Sequence, residues 1–321
     1  MKVLWYADGS REDGYGHLYR IISIMKLTPP HYENILFYSN DVQKDFYLSK
    51  GLNAFDINDG PVHEDGIYLL IDSKKNISDI VDQDSLEKFK GKIILIDSSN
   101  MSSINIADTI IFPSFYFDKD LIREIKVKNK KVFFGTKYMI PGEVSLRKSV
   151  TSTKTIIVSF GGSDPNNLSY KIAKLMHDFD GINFKTKFIL GPGYSHDMSL
   201  IQRYANDSQI IINPINFDEL LASGSLLVTA LGTTMQKAFR MKIPSIIVDN
   251  YEDDSLEHEM ILECLNLYYS ESFFSFLGHY KALRASELFK EIERLNSLKI
   301  VRLFDASELS KGWNSIFKDG L

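Results

Sequence analysis

Short apolar runs rich in β-formers recur along the first part of the chain, at Val3–Tyr6, Asn34–Tyr38, Ile67–Asp72, Lys92–Asp97, Thr109–Phe112 and Lys131–Phe134. Helix-length segments separate most of them. Uninterrupted apolar strands alternating with helices predict a parallel sheet covered on both faces. The pattern breaks over Lys137–Thr153, where Pro141 and Gly142 sit in a polar stretch, so the expected domains are 1–145 and 146–321. A second series follows at Thr155–Phe160, Thr186–Leu190, Gln209–Asn213, Leu226–Ala230 and Pro244–Asp249. Between its first two runs, Leu168, Ile172, Leu175 and Met176 recur at the spacing that lines one face of a helix. Two similar α/β halves are therefore expected, without short repeats or low-complexity tracts. The tail, Tyr280–Leu321, reads as two helices, with Leu283, Leu288 and Ile292 on the apolar side of the first. These helices belong to the second domain or pack back across both.

A chain of 321 residues exceeds the size at which one core usually stops growing, which agrees with two domains. Hydrophobic residues make up 44% and charged residues 25%, a globular composition that excludes wholesale disorder. The formal net charge of -5 argues against non-specific binding of nucleic acid. Cys264 is the single cysteine, so neither an intrachain disulfide nor a thiolate-rich metal cluster is expected, which fits a cytoplasmic setting. The opening run meets Asp8 too soon to be a signal peptide, and no stretch of about 18 uncharged apolar residues occurs. Phe273, Phe274, Phe276 and Leu277 form an apolar cluster, expected as a buried turn near the second core; peripheral contact with a membrane is the alternative.

Three constellations carry chemistry. Asp13-Gly14-Tyr15-Gly16-His17 follows the first strand. Gly14 and Gly16 let the backbone turn sharply and approach a ligand, and the helix beyond presents unpaired N–H groups to an anion. His17 is the strongest general-base candidate, because imidazole accepts a proton at neutral pH; the alternative is that it merely caps a helix. The motif lacks the third glycine of a dinucleotide fingerprint, and no P-loop occurs.

The second constellation is the run from Val158 to Asn167, in which Gly161 and Gly162 free the backbone to cradle an anion and Ser163 adds a hydroxyl. Asp164 and Pro165 lead into a helix. The third is Gly232-Thr233-Thr234-Met235-Gln236, again a strand, a glycine turn and a helix start. Thr233 or Thr234 is expected to cap that helix, and Gln236 to hydrogen-bond a ribose hydroxyl. Two such turns in one half place a diphosphate at the carboxyl ends of its strands, in a cleft facing the other half.

Acidic residues gather from Asp249 to Asp254, with Glu257 and His258 beyond. A solvated loop at a helix N-terminus is the favoured reading over a divalent-metal site, and no metal or other cofactor is expected. His196 lies in the glycine-rich turn Gly191-Pro192-Gly193-Tyr194 and is a candidate to line the cleft. Surface or loop roles are expected for His31, His63, His177 and His279.

Taken in order, these elements resemble the UDP-sugar hydrolases of pseudaminic acid biosynthesis, relatives of the glycosyltransferases that make the peptidoglycan lipid precursor. The resemblance rests on Lys2-Val3-Leu4, Gly14-x-Gly16-His17-x-x-Arg20, Gly135-x-x-Tyr138, the run Ser159-Phe160-Gly161-Gly162-Ser163-Asp164-Pro165 and Leu190-Gly191-Pro192-Gly193-Tyr194. It spans roughly residues 1–265. It implies the two-Rossmann-domain GT-B architecture, with His17 activating water for attack on the anomeric carbon and expulsion of UDP. It also implies that Gly14, Gly16, Arg20, Gly161, Gly162, Ser163, Asp164, Gly191, Tyr194, Gly232, Thr233, Thr234 and Gln236 bind substrate. The chain differs from the family at Gln236, where the family has glutamate. Glu252 and Asp253, also expected to bind substrate, replace its Asn-Gln pair, and Pro141 stands for an expected arginine.

Hydrolysis of a nucleotide-diphosphate amino- or deoxy-sugar at C1 is the expected function. A GT-B glycosyltransferase, with His17 deprotonating an acceptor hydroxyl, is the alternative. A non-catalytic sugar-nucleotide binding subunit is the third reading, and the presence of His17 beside the glycine turns argues against it.

Overall fold

A computed structural model of the chain describes residues 1–10, 14–58, 66–114, 118–135, 138–139, 155–177, 184–205, 208–241, 243–250, 274–279, 281, 283–297, 313 and 316. The chain divides into two compact units, Met1–Pro141 with Ala306–Leu321, and Gly142–Asp305. The terminal segment Ala306–Leu321 groups with the first unit.

The first unit runs β1 (Lys2–Ala7), α1 (Gly16–Met25), β2 (Glu33–Tyr38), α2 (Asp41–Ser49), β3 (Phe55–Asp56), β4 (Gly66–Asp72), α3 (Gln83–Lys88), β5 (Lys92–Ile96), α4 (Met101–Ile106), β6 (Thr109–Phe112), α5 (Lys119–Val127) and β7 (Lys131–Phe134). Helix starts follow local chemistry. Asn40, Asp82, Asn100 and Asp118 each accept a hydrogen bond from the backbone of the first turn of α2, α3, α4 and α5. The strands form one parallel sheet in the order β3-β2-β1-β4-β5-β6-β7. Side chains alternate across it. Leu4, Tyr6, Leu69, Ile71 and Leu95 enter one core, and Val3, Trp5, Leu70, Ile94 and Ile96 enter the other. The second core also takes Leu18, Ile21 and Ile24 of α1, and it is closed by Trp313 and Ile316 from the chain terminus. The Trp313 indole donates to the Tyr138 carbonyl at 2.9 Å and meets the Tyr138 ring edge-on.

The second unit repeats the plan with β8 (Thr155–Val158), α6 (Leu168–His177), β9 (Lys185–Leu190), α7 (Met198–Tyr204), β10 (Gln209–Ile212), α8 (Phe217–Ser223), β11 (Leu226–Ala230), α9 (Thr233–Arg240), β12 (Ser245–Asp249), β13 (Phe274–His279) and α10 (Ala285–Ser297). Its parallel sheet has the order β10-β9-β8-β11-β12-β13. Leu288, Phe289, Ile292 and Leu295 of α10 are buried in the same core as Ile156, Val158 and Phe188, so the predicted apolar face of this helix is the one used. The phenylalanine cluster was expected as a turn. Its described part is instead strand β13, paired with β12 from Ser245↔Phe274 onward, which the alternation of Phe274, Ser275 and Phe276 permits.

In both units the strand order reverses direction beside the first strand, between β1 and β4 and between β8 and β11. The carboxyl edge at such a reversal is where open α/β sheets bind ligands. The three glycine turns of the sequence lie at these two edges.

Candidate functional site

The turn from β1 into α1 carries the first site. Gly14 takes φ 80° and donates its N–H to the Ser10 carbonyl at 3.0 Å, a left-handed geometry that glycine adopts without a Cβ penalty. Helix α1 begins at Gly16 behind the N-cap Tyr15 and has no side-chain cap, so His17 lies inside the first turn and does not cap it. β4 neighbours β1 with Ala7↔Asp72 in register, which brings the last residue of β4 beneath this turn. There the His17 Nδ1 lies 2.5 Å from Asp72 Oδ1.

Asp72 is fully buried, and Arg20, one turn beyond His17, grips it twice, from Nε to Oδ2 and from Nη2 to Oδ1, each at 2.6 Å. The third guanidinium nitrogen of Arg20 donates to Asp97 Oδ2 at 2.8 Å. Burial alone would raise the Asp72 pKa, but the charges of Arg20 and His17 and their hydrogen bonds outweigh it and hold this carboxyl below its ordinary value. Asp72 is therefore an ionised acceptor. An unprotonated Nδ1 would set lone pair against lone pair at 2.5 Å, so the proton belongs on Nδ1 and the lone pair on Nε2. The Arg20 Nη2, 2.9 Å from Nδ1, is then a close neighbour and not the hydrogen-bond donor to it. The His17 side chain keeps 19% exposure, and an imidazole in this tautomer can accept a proton at Nε2.

Arg20 was expected to bind substrate. It is 3% exposed, and its guanidinium bonds Asp72 and Asp97 behind His17. Asp72 and Asp97 were not singled out from sequence. The signal for them was an acidic residue closing each of two apolar runs, Ile67–Asp72 and Lys92–Asp97. Asp8, at the end of β1, is a third such residue. It accepts from Ser73 Oγ, from Tyr6 at 3.1 Å and from Lys75 at 3.0 Å.

In the second unit, Gly161 takes φ 82° at the end of the turn after β8, and the backbone stays left-handed at Asp164 and Asn167. A second turn presses against this one. A Cβ on Gly191 would lie 2.3 Å from the Gly162 carbonyl oxygen and 2.5 Å from that of Gly161, so only glycine fits. Gly193 N–H donates to the Gly162 carbonyl at 2.8 Å, and Tyr194 O–H to Asn167 at 2.8 Å. Burial, with Asp164 and Asp197 nearby, pushes the Tyr194 phenol up to about 12. His196 donates from Nε2 to the Asp164 carbonyl at 2.9 Å.

Asp164 was expected among the ligand-binding residues, yet it is buried and its carboxylate caps α6, accepting from Leu168 N–H at 2.7 Å and Ser169 N–H at 2.9 Å. Burial raises its pKa in spite of these bonds. That carboxylate closes the α6 N-terminus to an anion. Helix α9 is different. Its N-cap is Gly232, at φ 152°, with no side-chain cap, so Thr233 and Thr234 occupy the first helical positions instead of capping as expected. Thr234 and Gln236 are 6% and 4% exposed, and among the described residues the Gln236 Oε1 has no hydrogen-bond partner. Ser163 is buried beside Asp164. Glu252 and Asp253 lie outside the described residues. No group of three potential metal ligands occurs among the described residues, and no described helix is long and apolar enough to cross a membrane.

No protein-family model matches the chain. It is 27% identical over 290 residues to Uncharacterized protein MJ1062 of Methanocaldococcus jannaschii, a match covering 84% of this chain and 58% of that protein. The chain thus spans little more than half of that relative. It is 24% identical over 272 residues to the spore coat polysaccharide biosynthesis protein SpsG of Bacillus subtilis, covering 78% of each. Among solved structures, the S. aureus MnaA–UDP complex matches with a TM-score of 0.60 at 11% identity, over 98% of this chain and 95% of that one. A putative UDP-N-acetylglucosamine 2-epimerase from Listeria monocytogenes matches at 0.59 and 12%, over 99% and 97%. The spinosyn rhamnosyltransferase SpnG complexed with thymidine diphosphate matches at 0.58 and 10%, over 99% and 96%. The fold is therefore the two-domain α/β architecture, GT-B, expected from the sequence. At these identities the likeness is one of fold.

Proposed function

We infer that the chain is a sugar-nucleotide enzyme that performs substitution at the anomeric carbon with His17 as general base. The observation that carries this reading is the Nδ1 contact of His17 with a buried, ionised Asp72, which leaves Nε2 basic at the carboxyl edge of the sheet. Nε2 takes a proton from water as the water oxygen attacks C1. The bond from C1 to the diphosphate oxygen breaks, and the nucleotide leaves with its electron pair. Asp72 stabilises the imidazolium that forms.

The second unit supplies the nucleotide side. Since Asp164 blocks α6, the diphosphate falls to the uncapped N-terminus of α9, with the backbone of Gly161 and Gly162 and the hydroxyls of Thr233 and Thr234 nearby in the sequence of turns. The buried, unpartnered Gln236 Oε1 offers an acceptor to a ribose hydroxyl. Two fold relatives solved with UDP and with thymidine diphosphate support a nucleoside diphosphate as the ligand class.

Water as the attacking group makes the enzyme a hydrolase of an NDP-amino- or deoxy-sugar, in keeping with the resemblance to the pseudaminic acid pathway. A glycosyltransferase uses the same base and leaving group. The similarity to a spore coat polysaccharide biosynthesis protein and the fold of a rhamnosyltransferase favour this second reading. One experiment separates them. Purified protein is incubated with a panel of UDP- and dTDP-sugars, in buffer alone and with glycan or lipid acceptors, and nucleotide release is followed. Release in buffer, lost in a folded His17→Ala variant, supports the hydrolase. Release only with an acceptor makes it a transferase, and tight binding with no turnover under any condition refutes both.

A further inference from the structure

Resting on His17 as the base, we propose that Asp97 and Arg20 are positioning residues that set the charge around His17, with Asp97 balancing a guanidinium that would otherwise oppose protonation of the imidazole.

The geometry poses an electrostatic problem and also shows its resolution. The Arg20 Nη2 lies 2.9 Å from the His17 Nδ1. A fixed cation at that distance disfavours the imidazolium that a base must become. Asp72 cancels one unit of charge, but a single Arg–Asp pair leaves the site neutral before proton transfer and cationic after it. Asp97 changes the count. Held by Arg20 Nη1 at 2.8 Å, it makes the cluster of Arg20, Asp72 and Asp97 net negative, so that protonating His17 brings it to neutrality. Asp97 reaches this place at φ 58°, in the left-handed region, at the residue directly after β5. Its side chain is 33% exposed, which makes it the member of the cluster that can be altered with the least disturbance of packing.

Other titratable groups lie at the end of β1 and on α2. Asp8 at the end of β1 is tied to Tyr6, Ser73 and Lys75. Tyr47 of α2 is fully buried, and burial, with Tyr6, Asp72 and Asp8 nearby, raises the pKa of its phenol and keeps it protonated. Asp97→Asn leaves the Arg20–Asp72 pair in place and so isolates the charge at position 97.

The test is the pH profile of kcat/KM for nucleotide release, measured on wild type, Asp97→Asn, Arg20→Gln and His17→Ala with the sugar nucleotide found active in the screen above. Asn at 97 keeps the shape and a carbonyl acceptor for Arg20 and removes only charge. Its acid limb is expected to move to lower pH by about one unit, because a lost negative charge weakens the base. Arg20→Gln removes the cation, and its limb is expected to move the opposite way. A purely structural role lowers activity without moving the two limbs in opposite directions. Nitrogen-15 NMR of labelled histidine provides a readout that does not depend on the variants folding. The wild-type His17 is expected as the Nδ1–H tautomer with a lone-pair signal at Nε2. Limbs that stay in place in folded variants overturn the proposal, and an Nε2–H tautomer in the wild type overturns the underlying assignment of the base. Full activity of His17→Ala also overturns that assignment, and is recognised separately.

Discussion

Asp72→Asn tests the centre of the mechanism. In the native site both carboxylate oxygens are used: Oδ1 by His17 and Arg20 Nη2, and Oδ2 by Arg20 Nε. An amide nitrogen at either place is a donor facing donors. An amide oxygen at the Oδ1 place still serves Nδ1 and Nη2, but the N–H₂ then opposes Arg20 Nε and the charge that stabilises the imidazolium is gone; kcat is expected to fall by about a thousandfold. Stability falls too, because Arg20 stays buried with a weaker partner. Breaking such a pair costs about 3–5 kcal/mol, and Asp97 keeps the cost near the lower end, about 3 kcal/mol. For a unit of this size that is roughly 6–12 °C in Tm. Of the two tryptophans in the chain, Trp5 and Trp313, both belong to the first unit, so a fluorescence melt reports on the unit that holds the site. Kinetics are then compared well below the transition. Asp72→Asn within threefold of wild type in kcat, with the fluorescence melt showing it folded, refutes the role of the carboxylate.

The second unit gives two further tests and the chain terminus one. Gly191→Ala drives a methyl group into two backbone carbonyls and is expected to cost about 3 kcal/mol, seen by circular dichroism as an earlier transition without change in the tryptophan signal; an unchanged melt contradicts the close approach of the two turns. Asp164 has a folded pKa raised above its ordinary 3.8, so the folded state binds this proton more tightly than the unfolded state. Its contribution is fully present below the ordinary value and is lost as pH rises through the folded one. Urea midpoints of wild type relative to Asp164→Asn are therefore expected to decline from about pH 4 upward, and a rising difference would reverse the assignment. Trp313→Ala removes a fully buried indole that bonds the Tyr138 carbonyl, with an expected loss of about 4 kcal/mol read from Trp5 fluorescence. No shift in that melt would mean that the terminus is not part of the first unit's core.

The same site shows why some of this was legible in sequence and some was not. Strand cores such as Thr109–Phe112 and Leu226–Ala230 are continuous apolar runs, and burial on both sheet faces is what such runs encode. β3 spans only Phe55–Asp56, too short to leave a pattern. His17 was legible because glycines mark its turn. Its partner was not, since Asp72 lies 55 residues away and an acid closing a strand looks like any polar terminator until the sheet order sets β4 beside β1. The internal partners of Arg20 and Asp164 were hidden for a related reason. Each sits in a motif expected to face a ligand, and a side chain within such a motif can point inward and hold the turn in place. Arg20 does so for His17 and Asp164 for the head of α6.

The two edges consequently divide the chemistry by charge. The first unit gathers Asp8, Asp72 and Asp97 at the ends of β1, β4 and β5, a negative surrounding suited to stabilising a protonated base and unsuited to a diphosphate. The second unit caps α6 with Asp164 and starts α9 on glycine, without a side-chain cap. On the function proposed above, the diphosphate goes to the α9 N-terminus and the base stays at the first edge. If that division is right, Gly232→Asp, which supplies α9 with the acidic cap it lacks, should abolish nucleotide binding while leaving the His17 tautomer signal unchanged. The left-handed φ of Gly232 adds strain to this substitution, so circular dichroism must first show that the second unit is intact. Retained UDP binding by a folded variant would place the diphosphate elsewhere.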